Sequence, residues 1–353
     1  MMITKVVKID ESNISREAVR EAGRILAGGG LVAFPTETVY GLGANGLDAR
    51  AAAKIYEAKG RPSDNPLILH IARMEELEPL AAEIPEEARA LASAFWPGPM
   101  TMILKKTAAV PYETTGGLDT VAVRMPSHPV ANGIISAAGV PIAAPSANKS
   151  GRPSPTKASH VIEDMDGRID MIVDGGEVGI GLESTIIDMS EGIPTVLRPG
   201  YITMDMIRRI TGRVELDKAS MGQMAPGVHP KAPGMKYRHY APKAELTIFR
   251  GRPEISAAAI SSALKKAASE GKKAGVICTE ESIGLYESPV KKCVGSRRNP
   301  ETIAHNLYDV LRAFDEEQVD CIFSESFEDY PLSGAIMNRL IKAAGHRIVE
   351  CQE

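Results

Sequence analysis

The chain has 353 residues, 44% of them hydrophobic and 24% charged, with a formal net charge of −4. That length exceeds one ordinary core and predicts two domains. The charge excludes a protein whose whole surface grips nucleic acid, though not one with a local basic cleft.

In chain order, Ile14, Ala18, Val19, Ala22, Ile25 and Leu26 fall at helical spacing until Gly28, Gly29 and Gly30 stop the helix. Leu31 to Phe34 predicts a buried strand. Residues 48–59 predict a second helix, capped by Asp48 and ended by Gly60. Strands are expected in 66–72, 100–106, 120–126, 141–147, 171–176 and 184–190, with helical stretches between them. From about 213 to 242 prolines and glycines alternate, which predicts an extended linker. Strands at 244–249, 274–279 and 319–325 then alternate with helices at 256–269, 301–317 and 332–345. This is the pattern of a small parallel α/β domain of the Rossmann-like kind. The expected division is 1–212, 213–242 and 243–353. The four cysteines form no CxxC pair and the seven histidines no HExxH, so no zinc site or disulfide frame is expected. No leader peptide and no run of roughly 18 apolar residues is seen, so the chain reads as cytoplasmic.

Gly41, Gly43 and Gly46 spell GxGxxG, but Pro35 and the segment TETVY separate them from the preceding strand. The dinucleotide reading is therefore weak, and the glycines are expected to let the chain turn. No GxxxxGK[ST] loop occurs, so any nucleotide phosphates must be held by side chains and short loops. Lys59 and Arg61 follow a helix end, in a segment stiffened by Pro62 and Pro66. A point charge beside a planar fork suits a polyphosphate. Ser146 and Asn148 close the segment PIAAPSAN, where hydroxyl and amide groups at a strand end suit phosphate or ribose oxygens. Each cluster alone is also compatible with an ordinary polar loop.

In order, FPTETVYGLG (34–43), KGRPSDNPLILH (59–70), WPGPMT (96–101), VAVRMPSHP (121–129), APSANKSG (144–151), ESTIID (183–188) and LRPG (197–200) resemble the YrdC-like family, the L-threonylcarbamoyladenylate synthases. PGMKYRHYAP (233–242) looks like the linker of the longer members, which carry a C-terminal Rossmann-like domain. The resemblance implies a twisted mixed-sheet domain with a central cleft, followed by that second α/β domain. It implies an enzyme that forms threonylcarbamoyl-AMP and pyrophosphate from L-threonine, bicarbonate and ATP, for a tRNA threonylcarbamoyl transferase complex downstream. Carried over by motif position, Thr38, His70, Arg124 and Ser184 contact threonine. Arg61, Asn65, Thr120, Ser146, Ser154 and Arg198 contact ATP, with Lys59 and Asn148 near its phosphates and Lys236 and Tyr240 closing over it. Lys59 and Arg61 are the expected catalytic pair. Mg2+ is expected with the triphosphate, and no metal site in the protein. Three other readings are an RNA-binding module using the same basic cleft without chemistry, a nicotinamide enzyme built on GLGANG, and a carbamoyltransfer module, whose relatives are much longer chains with zinc-binding cysteines that this sequence lacks. Sparse aromatics, 5% of the chain, argue against the first.

Overall fold

Ser15 opens the first helix because its hydroxyl accepts the amide N–H of Ala18 at 3.3 Å, replacing one of the hydrogen bonds a helix start lacks. Asp48 does the same for the second helix, accepting from Arg50 N at 2.9 Å, and Gly60 ends it at φ 62°, a left-handed conformation costly for any residue with a Cβ. The computed structural model describes residues 2–220, 222, 230–234, 239–328 and 330–351. It divides into Met1–Ser150 with Ser154–Lys236, and Gly151–Pro153 with Tyr237–Glu353.

The first unit runs β1 (Lys5–Lys8), α1 (Arg16–Ala27), β2 (Val32–Phe34), β3 (Gly41–Asn45), α2 (Ala49–Lys59) and β4 (Ile68–His70). It continues through α3 (Glu86–Phe95), β5 (Met100–Lys105), α4 (Tyr112–Thr115), β6 (Thr120–Arg124), α5 (Pro129–Ala138) and β7 (Ile142–Ala143). It ends with α6 (Ala158–Met165), β8 (Met171–Asp174), β9 (Thr185–Asp188), β10 (Thr195–Arg198), α7 (Met204–Thr211) and β11 (Glu215–Leu216). Among the described residues these strands form one 11-stranded mixed sheet in the order β1-β8-β2-β3-β7-β4-β6-β5-β9-β10-β11. Successive side chains of a strand point to opposite faces, and the buried residues accordingly form separate apolar clusters. Ala22, Leu26, Val130 and Ile134 of α1 and α5 belong to one, and Ile55, Leu91 and Val161 of α2, α3 and α6 to another.

Three expectations are corrected. GLGAN is neither a turn nor a dinucleotide loop: it is β3, antiparallel to β2. Its glycines make room for packing, since a Cβ on Gly43 would lie 2.7 Å from Phe34 Cε1 and 2.9 Å from Ile142 Cγ2. The strand expected over 141–147 is only Ile142–Ala143, because Pro145 has no N–H to give a ladder. The Pro/Gly-rich stretch starts with a strand, β11, pairing in parallel with β10, and is divided between the two units.

The second unit contains β12 (Glu245–Arg250), α8 (Pro253–Ser269), β13 (Ala274–Cys278), β14 (Val290–Cys293), α9 (Pro300–Glu317), β15 (Cys321–Glu325), α10 (Ser333–Ala343) and β16 (Ile348–Glu350). The sheet order is β14-β13-β15-β12-β16, with every pairing parallel. Phe249, Ile260, Leu264 and Val276 belong to its own buried core.

Candidate active site

The middle of the large sheet, β7-β4-β6-β5-β9, carries the first group of polar side chains. Arg124 ends β6 and is only 4% exposed, so its charge requires partners. Its Nη1 donates to Thr38 Oγ1 at 2.9 Å, and its Nη2 lies 2.7 Å from Glu37 Oε1. His70 of β4 and Thr101 of β5 are its register partners on either side. The turn holding Glu37 and Thr38 is set by Thr36, whose Oγ1 accepts from Thr38 N at 3.2 Å and Val39 N at 3.3 Å. Ile180 N and Gly181 N then donate to the carbonyls of Glu37 and Thr38 at 2.9 and 3.1 Å, anchoring the turn.

Burial is the largest single influence and works to raise the Glu37 carboxyl pKa, but the adjoining Arg124 guanidinium together with the backbone amides of Glu37 and Ser127 outweighs it and holds the carboxyl below its ordinary value. His70 goes the other way from an ordinary histidine. Burial first, then the charge of Arg124, pushes its pKa down to about 3, so the ring is neutral at physiological pH. Its Nδ1 lies 3.1 Å from the Ile68 carbonyl.

From Thr101 the row continues. Its Oγ1 is 2.7 Å from Ser184 Oγ, just ahead of β9, and Arg198 at the end of β10 donates from Nη2 to Ser184 Oγ at 3.2 Å and from Nε to Ser184 O at 3.1 Å. Gly200 permits this close approach, because a Cβ there would sit 2.5 Å from Thr185 N. Ser154 Oγ donates to Glu183 Oε1 at 2.6 Å and so joins the same row.

A second group gathers at the end of α2. Lys59 is 4% exposed, and its Nζ donates to the carbonyls of Ser146 and Asn148. Ser146 Oγ donates to Asn148 Oδ1 at 2.6 Å. Arg61 Nη2 donates to the carbonyls of Asn65 and Pro66 at 3.3 and 3.1 Å. The two groups are laced together by backbone: Ala147 N donates to Tyr40 O and Leu42 N to Pro145 O, both at 2.8 Å. The serine–asparagine loop thus runs along β3, just past the Thr36–Thr38 turn.

Of the sequence-selected residues, the structure brings Thr38, His70, Arg124, Ser184, Arg198 and Ser154 into the first group and Lys59, Ser146 and Asn148 into the second. Arg61 and Asn65 occupy the loop beyond α2. Thr120 opens β6, four residues and roughly 13 Å from Arg124. Tyr240 belongs to the second unit, where it is 5% exposed and its ring lies 5.2 Å from that of Tyr308. Lys236 lies outside the described residues. Sequence reasoning missed Glu37, Thr101 and Glu183 as members of the row. The one available signal was a carboxylate inside the otherwise uncharged run FPTETVYGLG.

The profile of the Sua5/YciO/YrdC family, described as telomere recombination, matches residues 24–200. The profile described as threonylcarbamoyl-AMP synthase, C-terminal domain, matches residues 202–345. The threonylcarbamoyl-AMP synthase of Bacillus subtilis is 50% identical over 341 residues, 96% of each chain. That of Pyrococcus abyssi is 49% identical over 348 residues, 99% of this chain and 100% of its own. The crystal structure of P. abyssi Sua5 complexed with L-threonine superposes with a TM-score of 0.94 at 48% identity, covering 99% of this chain and all of the other. With an uninterrupted match through both domains and the same fold throughout, the chain belongs to the threonylcarbamoyl-AMP synthase family, in its longer form.

Proposed function

We propose that the chain, as a threonylcarbamoyl-AMP synthase, performs its chemistry in the first unit, along the row from Arg124 to Arg198 and the adjoining Lys59 group. One observation carries this reading. Buried Arg198 bonds Ser184, whose hydroxyl pairs with Thr101, and Thr101 is the antiparallel register partner of buried Arg124, so that the row carries one arginine for each kind of anion the reaction brings together. Arg124 suits an amino-acid carboxylate, because its fork matches two oxygens. Thr38, His70 and Ser184 are the further L-threonine contacts of this reading. Arg198, Lys59 and Arg61 face the phosphates of ATP, with Asn65, Thr120, Ser146, Asn148 and Ser154 completing the nucleotide's contacts. Lys236 and Tyr240 belong to the closing segment of this reading.

The threonine amine adds to bicarbonate, giving a carbamate and water. A carbamate oxygen then attacks the α-phosphorus of ATP and pyrophosphate leaves. Negative charge accumulates on the phosphoryl oxygens and the leaving group, so the protein's contribution is positioning and charge stabilisation by fixed cations, without a covalent protein intermediate. Among the described residues no three His, Cys, Asp or Glu side chains converge on a metal site. In this reading Mg2+ would accompany the triphosphate, where it would shield phosphate charge. The product is a mixed anhydride and is consumed by an acyl transfer, here to tRNA by a separate transferase complex. Among the described residues no helix is long and apolar enough to cross a membrane.

The test is pyrophosphate release with ATP and bicarbonate, comparing L-threonine, L-serine and no amino acid. Threonine-dependent release is expected, and release indifferent to the amino acid defeats the reading. Arg61→Ala is expected to abolish ATP consumption while circular dichroism remains that of the folded protein. Product formation at the wild-type rate would remove Arg61 from the phosphate role.

A further inference from the structure

Glu37 is a buried carboxylate that the proposed chemistry leaves without a task. Its side chain is 14% exposed and that of Arg124 5%, and Oε1 lies 2.7 Å from Nη2. Yet the contact is not an aligned hydrogen bond. By geometry neither Glu37 oxygen nor Arg124 Nη2 has an aligned hydrogen-bond partner among the described residues, although the Glu37 and Ser127 amides lie close enough to the carboxylate to help lower its pKa, and all three atoms are shut off from solvent. A buried ion pair is expected to satisfy its remaining donors and lone pairs. Here one buried cation and one buried anion stand side by side with hydrogen-bonding capacity unspent.

The rest of the pair is firmly held. Arg124 is fixed by the bonds from Nη1 to Thr38 Oγ1 at 2.9 Å and from Nε to Gly98 O at 3.4 Å. Glu37 is fixed through its backbone by Ile180 N. The unspent groups are thus presented on rigid supports, as a recognition site requires. An anion and a cation in contact are the charge complement of an α-amino-acid zwitterion. His70 beside them is neutral and contributes no competing charge.

We propose that Glu37 is the ammonium-recognition residue of the amino-acid site, paired with Arg124 so that the substrate's carboxylate meets Nη2 and its ammonium meets the Glu37 carboxylate. The inference rests on the reading of Arg124 as the carboxylate partner. A zwitterion entering between the two side chains gives each an aligned, charge-assisted bond. An analogue with the carboxylate but not the amine restores only half of the pair and leaves Glu37 buried and unpaired.

The experiment is calorimetric titration of the full chain with L-threonine and with (3R)-3-hydroxybutanoate, which keeps the carboxylate and hydroxyl and lacks the amine. Wild type is expected to favour threonine by about ten- to a hundredfold, the scale of one buried charge-assisted bond. A ratio near one in the wild type overturns the proposal. Glu37→Gln is expected to weaken threonine by that factor while leaving the analogue's affinity unreduced. Equal losses on both ligands would mark a structural residue and overturn it, as would an undiminished preference for threonine. Glu37→Asp keeps the charge but withdraws it by one methylene, so the same ratio must fall part of the way, and an unchanged ratio counts against the proposal. If the wild type binds neither ligand, the reading of Arg124 itself fails.

Discussion

Arg124→Ala removes the only charge that offsets the buried carboxylate of Glu37 among the contacts described, so it is expected to cost about 3–5 kcal/mol, the penalty for breaking a buried pair from one side. Urea denaturation reads this directly. Arg124→Lys retains the charge but not the planar fork. It is expected to recover much of the stability while threonine affinity stays low, because a point charge cannot hold two oxygens in register. Glu37 and His70 both link stability to pH. The depressed Glu37 pKa contributes stability that is present above its unfolded value and lost as pH falls through the folded one. The His70 ring resists protonation down to about pH 3, whereas the unfolded chain's histidine binds a proton near 6.5. The unfolded state then takes up more protons, and stability falls between those values. Two pH units below 6.5 this amounts to about 2–3 kcal/mol. Comparing urea midpoints of wild type and His70→Gln at pH 7 and 4.5, the variant is expected to lose less on acidification. Equal losses would show that His70 is not the source.

At the scale of elements, α1 and α5 pack so closely that a Cβ on Gly23 would lie 2.7 Å from the Ala137 carbonyl carbon. Helix propensity alone favours Gly23→Ala by about 1 kcal/mol. The clash is with backbone, which does not swing aside, so a net destabilisation of about 1–3 kcal/mol is expected in chemical denaturation. A stabilised variant would mean that the two helices have room to separate. The helices with strong caps and periodicity, α1 and α2, were legible in the sequence to within about two residues. Edge strands were not. β1, β14 and β16 are short, and the lysines of KVVK and VKKC hide the apolar alternation that marks an internal strand. GLGAN was misread because Gly43 answers to side chains on other elements, Phe34 of the neighbouring strand and Ile142 far along the chain, and local turn chemistry carries no sign of them. The polar residues of the site were legible as motifs, through the family resemblance. The Glu37–Arg124 and Thr101–Ser184 contacts were not, since they depend on a sheet order that spacing does not encode.

For the whole molecule, the second unit has its own parallel sheet and buried core, so residues 239–353 expressed alone are expected to melt cooperatively. A broad, non-cooperative transition would mean that this core needs the rest of the chain. A chain ending at residue 236 keeps every first-unit contact around Arg124. It is expected to bind threonine as the full chain does while turning over more slowly, because it lacks the proposed closing segment that carries Tyr240. Equal turnover would remove the closing segment from the mechanism. The placement of β9 beside β5 has a further consequence for how the protein comes into being. A growing polypeptide that has left the ribosome only as far as α5 already possesses Glu37, His70 and Arg124, but not the Ser184 and Arg198 that extend the row. Ser184 serves the proposed amino-acid position as well, and β7 and β8 insert between strands made earlier, so neither group of side chains is complete until roughly the first 200 residues are free to fold.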